Sequence, residues 1–167
     1  PVAPESTVPC VRLCLPSGSD AGTEPLPSVA DPETGAVRDV LFEREETYFE
    51  SGEDMVNWHF FPEYDELIWF SERSDWGHLY LYDSESGTLK HPITQGEFVV
   101  LSVLKVDLEN RVIFFMASGK EGGNPYYEYL YRVDFSGENL QLLSPEPGHH
   151  RVSFSPDGRY FTDTYSQ

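Results

Sequence analysis

Side chains able to do chemistry are few in this 167-residue sequence, and they stand far apart. Ser102 and Lys105 have the Ser-x-x-Lys spacing in which a lysine amine activates a serine hydroxyl, but they sit within Val99-Val-Leu-Ser-Val-Leu-Lys-Val106. That run of apolar and β-branched residues reads as a strand, where an odd separation sends two side chains to opposite faces. A hydrolase nucleophile needs Gly-x-Ser-x-Gly on a strand-to-helix turn, and the nearest string, Gly18-Ser-Asp-Ala-Gly22, has its serine one place early. Gly119-Lys-Glu-Gly-Gly123 lacks the Gly-Lys-Ser/Thr of a phosphate loop and reads as a hairpin connection. His149 and His150 point apart on an extended chain and have only Glu146 nearby, so they read as loop histidines, short of the three or four ligands that hold a metal. Cys10 and Cys14 share a strand face but lie about 13 Å apart, too far for a disulfide. A zinc half-site would need a second Cys or His pair at ligand spacing; without one, ordinary buried or half-buried thiols are the simpler reading. No catalytic residue, metal or cofactor is assigned.

Charge narrows the classes further. Twenty-nine acidic against 11 basic residues give a net charge of −18. Such a surface repels phosphate backbones and anionic lipid headgroups, which excludes nucleic acid as a partner. No apolar run approaches the roughly 18 residues of a membrane-spanning helix, and Pro1 to Cys10 lack the basic start of a signal peptide. A start at Pro1 rather than Met suggests a piece of a longer parent, whose compartment (secreted, periplasmic or cytoplasmic) stays open. A 39% hydrophobic and 14% aromatic composition supports a buried core, while 13 Gly and 13 Pro favour turns over long helices.

The elements that would position any site repeat along the chain. Asp31-Pro-Glu-Thr-Gly-Ala-Val-Arg38 aligns without a gap on Asp83-Ser-Glu-Ser-Gly-Thr-Leu-Lys90, and His78-Leu-Tyr-Leu-Tyr-Asp83 on Tyr129-Leu-Tyr-Arg-Val-Asp134, a period of about 51 residues. A third register joins Phe60-Phe61-Pro62 to Phe154-Ser155-Pro156. Leu67–Phe70 and Val112–Phe115 are short apolar runs suited to strands covered on both faces, and Leu79–Tyr82 and Leu130–Val133, rich in residue types that suit a pleated sheet, are the next strands. Ser84–Gly87, Phe135–Gly137 and Ser155–Gly158 are the turns. Four strands in about 50 residues make the blade of a β-propeller. The expected fold is all-β, a partial β-propeller of about three four-stranded antiparallel blades: 1–56 the trailing part of one blade with a mobile loop over Pro16–Pro32, 57–98 and 99–150 two blades, and 151–167 the start of a further one. Exposed faces at the two ends of such an arc predict self-association of copies.

Ser71-Glu-Arg-Ser-Asp-Trp-Gly-His-Leu-Tyr-Leu-Tyr-Asp83 followed by Ile93-Thr-Gln-Gly-Glu-Phe-Val-Val100 resembles an ordered pair of motifs in the dipeptidyl peptidase IV family. Gly123-Asn-Pro125, Tyr129–Val133, Pro147-Gly-His-His150 and Phe154-Ser-Pro-Asp-Gly-Arg-Tyr-Phe161 continue the likeness in the same order, over about Asp31 to Gln167. The resemblance implies the carboxy-terminal part of the propeller that precedes an α/β-hydrolase domain in these serine peptidases. The propeller would gate peptide substrate and help shape the active site; catalysis would belong to the hydrolase domain of the same parent chain. Adjacent glutamates that clamp a substrate amino terminus in the family sit in a Trp-x-Tyr context, which Glu45-Glu46 lack, so that role is not carried over. His59, beside Trp58, falls near a blade's inner end, where it could face substrate. Tyr48 and Phe49 could pack on a substrate side chain, although aromatic core is the simpler reading. The rival reading is a propeller that only docks other proteins.

Overall fold

The computed structural model describes residues 10–14, 26–31, 34–41 and 57–167. Every regular element among them is a β-strand, apart from one 3-10 turn at Pro62–Tyr64. Strands β1 (Cys10–Cys14), β2 (Leu26–Ala30) and β3 (Val37–Asp39) form a three-stranded antiparallel sheet. Strands β4 (His59–Phe61), β5 (Glu66–Ser71), β6 (His78–Asp83) and β7 (Leu89–Pro92) form a four-stranded meander. A second meander runs through β8 (Val99–Asp107), β9 (Val112–Ser118), β10 (Glu128–Asp134) and β11 (Gln141–Leu142). The hairpin β12 (His149–Phe154) and β13 (Phe161–Ser166) meets β10 through one parallel pairing, Glu128 with His149. This is the architecture of a partial β-propeller.

Alternation along the strands explains why the sheets stack. On β5, Leu67 and Trp69 face one way and join Tyr80 and Tyr82 of β6 in a cluster with Val29, Val40 and Leu41. Ile68 and Phe70 face the other way and pack with Leu79 and Leu81 against Ile113, Phe115, Tyr129 and Tyr131. The β4–β7 sheet is therefore buried on both faces, which is why its central strands read as continuous apolar runs.

The repeat is visible in atomic detail. Asp31 directly follows β2, and Asp83 and Asp134 end β6 and β10; their carbonyls accept the amides of Gly35, Gly87 and Gly137 at 2.8, 2.9 and 2.8 Å. Those glycines have φ of 71°, 70° and 84°, the left-handed region that costs glycine least. A buried hydroxyl recurs as well: Thr94 accepts the Leu79 amide at 3.0 Å and Ser144 the Leu130 amide at 2.7 Å. Phe60 and Phe154, matched in the third register, each turn toward the preceding sheet, Phe60 onto the Val29 cluster and Phe154 onto Phe114 at 5.1 Å.

One expectation needs correcting. The proline-rich stretch Pro16–Pro32 reads in sequence as loop throughout, yet Leu26–Ala30 is the central strand of its sheet, pairing with β1 on one side and β3 on the other. Pairing on both edges and burial of Ser28 and Val29 outweigh the local turn propensity of the flanking prolines.

Candidate functional site

His59 opens β4, the first strand of its sheet, opposite Ile68. Trp58 and Phe60 turn to the Val29 cluster, so alternation sends His59 and Phe61 to the other side. The His59 ring lies parallel to Phe61, with centroids 6.3 Å apart and 4° between planes. Its Nε2 is buried without a hydrogen-bond partner. Burial holds the imidazole below its ordinary pKa, so it is a neutral ring with an unpaired polar atom. Two residues earlier, the buried Asn57 side chain donates from Nδ2 to the Leu101 carbonyl at 3.1 Å and accepts the Val103 amide on Oδ1 at 2.9 Å. Tyr48 and Phe49, and also Glu45 and Glu46, lie outside the described residues. Cys10 and Cys14 mark the two ends of β1.

Ser102 and Lys105 are arranged differently from the expectation. The β8–β9 register shifts between Val100 and Ser102 and again between Val103 and Lys105, so Ser102 pairs with Met116 and Lys105 with Phe114. Met116 and Phe114 are two apart on β9, which puts Ser102 and Lys105 on one face instead of opposite faces. The Lys105 ammonium is committed elsewhere, donating to the Gly158 carbonyl at 2.8 Å with the rings of Phe114 and Phe154 each 5.6 Å away.

The paired histidines lie on β12 and not in a loop. They do point apart. His149 is half exposed, edge-on to Tyr127, while the His150 side chain is fully buried, with Nδ1 2.7 Å from Asp163 Oδ2 and Nε2 2.7 Å from the Glu146 carbonyl. Strand pairing with β13 and the rings of Tyr129 and Tyr165 at 5.7 and 5.1 Å enclose it. His78 bonds a neighbouring turn, Nε2 to the Gly96 carbonyl at 2.9 Å and Nδ1 to Thr94 Oγ1 at 3.1 Å. A neutral ring protonated on Nε2 satisfies both partners. Among the described residues, no three His, Cys, Asp or Glu side chains converge to hold a metal, and no helix is long and apolar enough to cross a membrane.

Sequence reasoning missed the charged joint between the two meanders. Glu66, at the start of β5, is gripped by both terminal nitrogens of Arg111 at 2.5 and 3.0 Å and by Lys90 at 3.2 Å. Arg111 belongs to the β8–β9 turn, and its guanidinium lies 4.0 Å from the Phe135 ring centroid. Burial pushes the Glu66 carboxyl up, but Arg111 and Lys90 together hold it below its ordinary value.

These shifts set the sign of each group's own contribution to the pH response. For His78, burial outweighs the opposite pull of the Gly96 carbonyl, and the folded pKa is lowered, as at His59. A group with a lowered folded pKa contributes stability above its unfolded value and loses it as pH falls through the folded one. The melting temperature is therefore expected to fall from pH 7 toward pH 5 as the two histidines are forced to charge, and again below about 4.3 as Glu66 protonates. Melting curves across that range check this; a temperature unchanged between pH 7 and pH 5 contradicts it.

With the geometry established, comparison with known proteins gives a consistent result. The model of the dipeptidyl peptidase IV (DPP IV) N-terminal region matches residues 26–167. Dipeptidyl peptidase 4 of Trichophyton equinum is 30% identical over 95 residues, and that of Arthroderma otae 30% identical over 97. Each match covers 57% of this chain but 12% of the relative's length. Among solved structures, dipeptidyl peptidase 4 of Porphyromonas gingivalis superposes with a TM-score of 0.70 at 23% identity, covering 86% of this chain and 19% of its own. TolB of Acinetobacter baumannii superposes with a TM-score of 0.58 at 19% identity, over 94% of this chain and 35% of its own. At those identities the structural likeness concerns the fold.

Proposed function

Because the chain belongs to the dipeptidyl peptidase IV family, in that family's N-terminal region, we propose that it gates peptide access to, and helps shape, the active site of an α/β-hydrolase domain elsewhere in its parent chain. The family match over residues 26–167 carries this reading. Residues 57–98 and 99–150 act as two blades between the trailing part of one at 1–56 and the start of another at 151–167. His59 is the substrate-facing group: it stands half-buried on the first strand of its sheet, and a neutral imidazole can donate to or accept from a peptide group. This chain supplies shape and selection, while nucleophile, base and oxyanion donors come from the hydrolase domain.

The test separates the chain from its parent. The parent polypeptide is expected to release the chromophore from an aminoacyl-prolyl amide and to discriminate against folded proteins, and the isolated chain to show no turnover. Hydrolysis by the isolated chain that survives repurification overturns the division of labour, and a parent that degrades folded proteins as readily as short peptides overturns the gating.

A further inference from the structure

We infer that Asn57 is a positioning residue that fixes the first strand of one sheet, and with it His59, against the first strand of the next. β8 pairs with β9 on one edge, leaving the backbone groups of its other edge to find partners elsewhere. Leu101 is the extra residue at a shift of the β8–β9 register, so its carbonyl stands outside the regular ladder. The Asn57 carboxamide meets this edge as a strand residue would, donating to the carbonyl of residue 101 and accepting from the amide of residue 103. One side chain therefore replaces a rung of sheet between two meanders that apolar packing and Glu66 also hold together. Next to it, the Val100 amide donates to the Gly77 carbonyl at 2.8 Å, a second tie between the same sheets.

Asn57 is suited to this task because a carboxamide carries both a donor and an acceptor at the spacing of a peptide group. Aspartate would aim an unprotonated, charged oxygen at the Leu101 carbonyl, and that repulsion drives the side chain off the edge of β8, so the Val103 amide loses its acceptor as well. Alanine leaves both backbone groups without their partner. His59 follows after one residue, at the start of β4, so a change in how β4 sits against β8 moves the imidazole directly. The inference about the strand stands on these contacts, and its kinetic consequence rests on the reading of His59 as substrate-facing.

Hydrogen exchange on this chain and kinetics on its parent test it together. Asn57→Ala is expected to reduce protection of the Val103 amide at least tenfold, and in the parent to raise KM for a peptide substrate by roughly tenfold with kcat within about twofold. Asn57→Asp is expected to match Asn57→Ala near neutral pH and to regain Val103 protection, relative to the unsubstituted chain at the same pH, once the carboxyl is protonated and can donate to Leu101. That comparison of one variant with itself keeps the inference falsifiable if Asn57→Ala fails to fold. Unchanged Val103 protection in either variant overturns the inter-sheet tie. Reduced protection with KM unchanged, in a protein where His59→Ala does raise KM, overturns the positioning role. If His59→Ala leaves KM unchanged, the substrate-facing reading of His59 fails, while reduced Val103 protection in Asn57→Ala still supports the placement of the strand.

Discussion

Gly87→Ala is expected to destabilise the chain by about 3 kcal/mol or more, equivalent to roughly 6 to 12 °C in melting temperature for a domain of this size. Two causes add. Gly87 has a φ of 70°, where a side chain costs about 1 kcal/mol. A methyl group there would also overlap the Val40 carbonyl oxygen, a backbone atom of the preceding sheet that cannot swing aside. To relieve the clash the two sheets must separate, which opens the cluster holding Trp69, Tyr80 and Val40. Gly35→Ala is the internal control, because Gly35 has nearly the same φ, 71°, but nothing within 4 Å of the place its methyl group would take. Its expected cost is the conformational share alone, about 1 kcal/mol. Equal losses for the two variants in thermal or urea unfolding would show that the close approach between sheets contributes nothing.

Phe115→Ala is expected to cost about 3 to 5 kcal/mol. Its side chain is fully buried between the two meanders, with its ring 5.7 Å from that of Tyr131, and Ile113 and Ala117 beside it on the same face. Removing the ring leaves a hole walled by residues of both sheets, held open by strand pairing on either side. Phe161→Ala provides the contrast: Phe161 is 40% exposed on β13, and its loss is expected to cost about 1 kcal/mol or less. Urea unfolding of both variants measures the difference, and a Phe115→Ala loss near 1 kcal/mol would mean that the interior between the sheets repacks freely.

The sequence exposes the parts of this fold that depend on neighbours along the chain. Leu67–Phe70 and Val112–Phe115 are legible as doubly covered strands because both faces of the sheet are apolar. The hairpins after Asp31, Asp83 and Asp134 are legible because a glycine follows each acid within three or four residues. Other features depend on pairing across the sheet. The register shifts in β8 add residues without any proline or glycine to announce them, and so reverse the predicted facing of Ser102 and Lys105. Glu66 finds partners 24 and 45 residues away, and Asn57 bonds residues 44 and 46 away. His150 reads as a loop residue because its Pro-Gly-rich approach ends one residue before β12 begins. At the candidate site, the residue type of His59 is visible in the sequence, whereas the buried, unpaired Nε2 and the amide that seats its strand are not.

Gly87 against Val40 has a counterpart fifty residues on, where a methyl group on Gly137 would approach the carbonyls of Ile93 and Pro92 at 3.1 and 3.2 Å. Each sheet thus presses the tip of its last hairpin into the strand exit of the sheet before it, and the contact has a direction. Energetically this is a one-dimensional array, with a term for each unit and a term for each adjacent pair. Damage at one joint lowers the cooperativity between its two neighbours and leaves more distant units to unfold on their own terms. A substitution at the charged joint of Glu66 is therefore felt first by the two sheets it joins.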